Sequence, residues 1–181
     1  MSIPKIPEPA LVVVSVLTPT EDLLPVVLSL LTDELGKLGE QIGPLAFSFT
    51  KYYDREMGSG IRRWLWWFVE LRDRSELITI KLLTNRIEQA YANEGRRKVN
   101  LDPGMLTLGS LVLATGKESS HRIYLGEGIF ADLTLVYRSG SYRPLEWTYP
   151  DYADSELIGI LNGLREMYKW KLKHLAARTA L

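Results

Sequence analysis

The chain has 181 residues, 46% of them apolar, with 22 basic side chains balanced by 22 acidic ones and no cysteine. That composition supports a proper core and sets aside disordered and fibrous classes, while the cancelled charge leaves no global field for a polyanion and argues against nucleic acid except at a local patch. Without cysteine there is no disulfide, thiolate nucleophile, redox pair or cysteine-ligated metal centre.

Residues 1–9 read as a Pro-rich leader, because prolines at 4, 7 and 9 hold them out of helix. The β-branched run "ALVVVSVL", Ala10 to Leu17, reads as a buried first strand and falls far short of the roughly 20 residues that cross a bilayer. No export signal or anchor is visible, so no membrane association and a cytoplasmic location are expected. Thr18, Pro19, Thr20 and Glu21 have the pattern of a helix start, with Thr as cap and Glu three residues on. Leu24, Val27, Leu28, Leu31, Leu35 and Leu38 then form one apolar stripe, which Gly36 and Gly39 close.

"GPLAFSFT", Gly43 to Thr50, alternates as a half-buried second strand. "WLWWFVEL", Trp64 to Leu71, is apolar on both faces, so both need cover from helices, later hairpins or a second subunit; this is the expected route to a homo-oligomer. Asp73 and Glu76 form a capping box ahead of a second helix with Leu77, Ile80, Thr84, Ile87 and Tyr91 at helical spacing. In "KVNLDPGML", Pro103 and Gly104 suit the central positions of a type II turn, and "TLGSLVLAT", Thr107 to Thr115, follows as the fourth strand. Hairpins turn at Gly126 to Gly128 and at Arg138 to Ser141, and a closing helix carries Leu157, Ile160, Leu161, Leu164, Tyr168 and Leu172 before a frayed tail at 176–181. The predicted fold is a single α+β domain over 1–181: a ferredoxin-like split βαβ core, βαββαβ, extended by C-terminal hairpins and a helix.

Standard chemical motifs are missing. The Gly116-Lys117 pair has Leu111 where a P-loop needs its first glycine and Glu118 where it needs a hydroxyl, and "GSGIRR", Gly58 to Arg63, precedes a strand where a dinucleotide loop precedes a helix. Only His121 and His174 exist, so no multi-histidine metal cluster forms, and no nucleophile elbow accompanies His121 and its neighbouring serines. Polar groupings remain in "TKYYDREMG", with Tyr52, Tyr53 and Glu56; on the second helix, with Lys81, Asn85 and Glu88 on one face; in "HRIYL", with His121 and Arg122; in "WTYPDY", with Asp151; and at Asn100 and Asp102. Arg96, Arg97 and Lys98 form a basic run that competes with these as a single-stranded RNA contact.

The blocks "FSFTKYYDREMG", "KLLTNRIE", "RKVNLDPGMLTL", "SHRIYLGEGIFADLTLVY" and "WTYPDY" resemble a small bacterial family, domain of unknown function 4416, from about Val12 to Leu172. Some of its members carry the label GTP-binding protein, which the resemblance passes to this chain as an expectation; "TNRIE", Thr84 to Glu88, is nevertheless not the NKxD guanine-reading motif.

The reading of these residues is a site for a small anionic or nucleotide-like ligand. Arg122 and Lys81 would meet negative charge, Tyr52 or Tyr53 would stack on a ring, and Asn85, Asn100 and Asp151 would complete the binding set. His121, Glu56 or Asp102 would supply any acid–base work. A noncatalytic homodimer built on the tryptophan strand is the competing expectation.

Overall fold

A computed structural model describes residues 1–50 and 53–179, the side chains of 176–179 excepted. The strands are β1 (Ala10–Thr18), β2 (Leu38–Ala46), β3 (Arg62–Arg72), β4 (Asn100–Leu106), β5 (Ser110–Thr115), β6 (Arg122–Gly126), β7 (Ile129–Arg138) and β8 (Ser141–Pro144). The helices are α1 (Leu24–Leu35), the short α2 (Asp54–Met57), α3 (Leu77–Ala90) and α4 (Ser155–Thr179). All strands join one antiparallel sheet in the order β2-β3-β1-β4-β5-β7-β6, with β8 also paired to β7. The first four strands in sequence stand in the order β2-β3-β1-β4, the arrangement of the predicted split βαβ core, but its fourth strand is Asn100–Leu106, and the segment expected there, Thr107 to Thr115, becomes a strand only from Ser110 as β5; the C-terminal hairpins lengthen the same sheet.

The sheet is covered on both faces because its central strands are apolar on both. Val12, Val14 and Val16 of β1 and Trp64, Trp66 and Phe68 of β3 pack under α1 and α3, while Leu11, Val13 and Leu65 pack under Leu157, Leu161, Leu164 and Tyr168 of α4. Trp64 and Trp66 are fully buried. The apolar area that called for a second subunit at Trp64–Leu71 is thus covered by the chain's own helices.

Several sequence boundaries shift. Thr18 caps no helix: it stays in β1, its hydroxyl oxygen lies 2.9 Å from the carbonyls of both Thr20 and Lys98, between which its one proton is shared, and α1 waits until Leu24, with Pro25 in its first turn. Gly36 ends α1 as expected, but Leu38 and Gly39 belong to β2. That strand ends at Ala46, so Phe47 to Thr50 form a loop instead of a strand end, because β3 offers β2 partners only from Phe68 back to Arg62.

The capping box at Asp73 and Glu76 forms, opening a 3-10 turn that runs into α3. The hairpins turn where predicted, with Glu127 and Gly128, and Ser139 and Gly140, at positive φ. α4 continues to Thr179, and the side chains of the expected tail lie outside the described residues.

The largest correction concerns "LDPGML". Pro103 and Gly104 form no turn; they lie inside β4, opposite Val14 and Val13 of β1. The chain reverses later, between Thr107 and Ser110, where the Thr107 N–H donates to the Ser110 carbonyl at 2.9 Å.

Candidate functional site

The site begins with a fork in the sheet. β4 pairs with β1 along its whole length, from Leu106 opposite Leu11 to Asn100 opposite Leu17. Its pairing with β5 covers only Gly104 to Leu106, while β5 continues beside β7 as far as Thr115. Between Asn100 and Pro103 one edge of β4 is therefore open.

Proline fits there because residues two apart turn their backbone nitrogens the same way, and Leu101 turns its own towards the open side. Gly104 stands at the fork point: a Cβ on it would lie 2.6 Å from Leu113 Cδ2 and 3.0 Å from the Val112 carbonyl oxygen. Only glycine lets the two strands close up immediately before they part.

Helix side chains serve the open edge. Glu88 Oε1 accepts the N–H of Leu101 at 2.6 Å, and Lys81 Nζ donates to the Leu101 carbonyl at 2.9 Å. Seven residues apart on α3, these two side chains share a helix face and take the hydrogen bonds a neighbouring strand would have made.

The fork opens into a cavity of about 500 Å³. From one side α3 contributes Lys81, Asn85 and Glu88, and β4 contributes Asn100 and Asp102. Across the fork stand Thr115, Gly116 and Lys117 at the end of β5, with Arg122 and Asp132 behind them. The remaining wall is aromatic, from Phe47, Phe49 and Tyr53 after β2 and from Tyr149 and Tyr152 before α4.

Arg97 ties the near wall together. Its Nε and Nη2 grip Glu56 at 2.6 and 2.8 Å, and its Nη1 donates to Asn100 Oδ1 at 2.6 Å and to Glu88 Oε2 at 3.3 Å. Asn100 passes the order on, its amide donating to Asp102 Oδ2 at 2.7 Å, while Lys81 Nζ lies 3.7 Å from Asp102 Oδ1.

This network separates the carboxylates electrostatically. The hydrogen-bonded Arg97 fork holds Glu56 below the usual glutamate range, whereas burial pushes Glu88 above it in spite of Lys81 and the Leu101 amide. Burial, reinforced by the Asp102 charge, likewise drives the Tyr53 phenol upward, so it stays protonated.

On the far wall Arg122 faces Asp132 across the β6–β7 ladder, Nε to Oδ2 at 2.9 Å. Its Nη1 donates to the Lys117 carbonyl at 2.9 Å, and its Nη2 reaches the half-exposed Tyr149 hydroxyl only at 3.4 Å. Arg63, fully buried between the rings of Phe47 and Tyr152, binds both the carbonyl and the carboxylate of Asp151.

Tyr53, Lys81, Asn85, Asn100, Asp102, Arg122 and Asp151 thus share one cavity. Glu56 stands behind Arg97. His121 lies outside the wall, stacked on Trp147 with ring centroids 5.1 Å apart and its Nε2 3.5 Å from Asp132 Oδ2. Tyr52 lies outside the described residues. Among the described residues the Asn85 amide has no protein partner, although it is half-buried.

A family model described as Domain of unknown function (DUF4416) matches residues 8–168. The chain belongs to that family. No curated protein and no solved structure matches it. The matched span of this DUF4416 chain contains every residue of the cavity wall, from Leu17 to Tyr152.

Sequence reasoning missed several members of the wall, among them Phe49, Lys117, Arg97 and Asp132. Arg97 belongs to the basic run expected as a single-stranded RNA contact, yet its guanidinium is turned inward onto carboxylates. Asp132 carried a usable signal: it is a lone charge in the apolar run "IFADLTLV", and counting back from the Glu127-Gly128 turn brings it within one residue of Arg122. In this DUF4416 chain no described helix is long and apolar enough to cross a membrane, and no described group of three or more His, Asp or Glu side chains is placed to hold a metal ion.

Proposed function

We propose that the chain binds a small anionic, nucleotide-like molecule in the fork between β4 and β5. The observation that carries this reading is Asn85. In a wall most of whose polar groups are knit to one another, its amide lines a cavity of about 500 Å³ with no protein partner, offering a donor and an acceptor to a ligand. A volume of that size suits a mononucleotide.

Lys117 and Arg122 outnumber Asp132 on the far wall, and Arg122 Nη2 is weakly enough held by Tyr149 to turn to an anionic group. Asp102 and Asn85 on the near wall suit the amino and imino edge of a base, which brings guanine nucleotides into the reading alongside other nucleotides. The half-exposed rings of Phe49 and Tyr149 are the stacking surfaces, because one face of Tyr53 already lies near the Arg97 guanidinium, 5.9 Å from the ring centroid. If the bound molecule reacts, Asp102 is the acid–base group, since Glu56 is gripped by Arg97 and His121 stands outside the wall.

Thermal denaturation against nucleoside mono-, di- and triphosphates and simple phosphorylated metabolites tests the proposal. A ligand at a hundred times its Kd stabilises the fold by about 2.7 kcal/mol, and Asn85→Ala and Arg122→Ala should each cut that shift. No stabilising compound in the panel, or a shift untouched by both substitutions, would overturn the proposal.

A further inference from the structure

The two ends of the sheet are treated differently. At the β2 end, Pro44 has no N–H to offer, the β2–β3 register shifts twice, and Glu40 and Gln41 are exposed, all devices that discourage another strand from pairing there. The β8 part of the opposite edge is covered too: the Tyr142 N–H donates to Asn162 of α4 at 3.0 Å, and Pro144 closes the strand.

β6 has less of this protection, a single register shift between Tyr124 and Gly126 in its pairing with β7. It is the terminal strand, without proline, and its central residues Ile123, Tyr124 and Leu125 are 70%, 61% and 39% exposed. Arg122 spends its N–H on the Ser119 carbonyl at 3.0 Å, away from β7. By the alternation of a strand, Tyr124 then turns its own N–H and C=O to the open edge.

We infer that β6 is the seam of a two-fold dimer of this chain, in which the β6 strands of two copies pair antiparallel about Tyr124 and join their sheets. The sequence along the edge names the occupant. From His121 to Glu127 it runs "HRIYLGE", so reversing it about Tyr124 sets Ile123 against Leu125 on both sides of the dyad, while the Arg122 guanidinium stays turned inward on Asp132.

A second copy therefore matches the apolar centre of the edge with its own, as an isologous contact requires. Tyr124 would exchange both backbone hydrogen bonds with its counterpart. Ile123 and Leu125 of the two copies would cluster on one face of the joined sheet, with the Tyr124 rings on the other. Arg122 belongs to the same strand and lines the cavity, so each seam would lie beside two ligand sites. The inference stands without the ligand reading.

The absence of cysteine makes the test clean. Paired residues at a dyad lie about 5.5 Å apart between Cα atoms, within disulfide reach, so Tyr124→Cys should cross-link to a covalent dimer under mild oxidation while Glu40→Cys on the other edge should not. Sedimentation velocity on the unmodified chain should show a dimer, and Ile123→Lys should raise its dissociation constant at least about tenfold with an unchanged far-UV circular dichroism spectrum. An unmodified chain that stays monomeric at about 100 μM, in the weak-association range, would overturn the inference and leave the edge to some other occupant. So would a dimer that Ile123→Lys leaves intact and Tyr124→Cys fails to link.

Discussion

Glu88 accepts the backbone N–H of Leu101 at 2.6 Å, so a helix side chain stands where a strand would have stood. The arrangement keeps the fork open without leaving the Leu101 peptide unsatisfied, and it buries a carboxylate to do so.

That burial sets a pH dependence. Glu88 holds its proton more firmly in the folded chain than in the unfolded one, so the native state carries the extra proton and stability falls as pH rises from the ordinary glutamate range through the raised value. Glu56 has the opposite sign: its contribution is present above the ordinary range and is lost as pH falls through its lowered value. Glu88→Gln keeps an acceptor for Leu101 but cannot ionise. Its melting temperature relative to the unmodified chain should therefore climb between about pH 4 and pH 7. A difference that stays flat across that range contradicts the assignment.

Arg97 joins Glu56, Glu88 and Asn100 through one guanidinium. Arg97→Ala should cost about 2 kcal/mol in urea unfolding, because it removes one of the two cations beside the buried Glu88 and leaves Glu56 and the Asn100 amide oxygen without their donor. Arg97→Lys should recover little of it, since an ammonium cannot copy the two-pronged contact with Glu56. Full recovery by lysine would reduce the network to simple charge.

Asn85→Ala should behave in the other way. The amide has no protein partner among the described residues, and alanine is the better helix former, so stability should stay within about 0.5 kcal/mol of the unmodified chain or rise slightly. Ligand-induced stabilisation should nevertheless drop. A large loss of stability without ligand would show that Asn85 holds the fold.

Gly104→Ala tests the fork point itself. The added methyl would meet Leu113 Cδ2 at 2.6 Å and the Val112 carbonyl at 3.0 Å, and relieving both should cost about 1–3 kcal/mol, visible as an earlier midpoint in denaturant. A neutral result would mean that β4 and β5 part more easily than the packing implies.

Much of the fold was legible in the sequence because it rests on local physics. The Asp73–Glu76 capping box, the positive-φ hairpin turns and the apolar stripes of α1, α3 and α4 depend on residues a few positions apart, and the order of the first strands and helices follows from them. The same holds for the double-faced tryptophan strand, which had to be covered on both sides.

Only tertiary structure decided what lies between those elements. Thr18 and "LDPGML" carry good cap and turn chemistry, yet β1 and β4 overrule it, because a long ladder with many hydrogen bonds and fully buried side chains outweighs one local preference. The cavity had no motif because its wall comes from segments more than a hundred residues apart, from Leu17 to Tyr152. Asp132, Arg97 and the free Asn85 amide acquire their meaning only where β4 and β5 diverge, and the length of a strand pairing is set by neighbours that no local window contains.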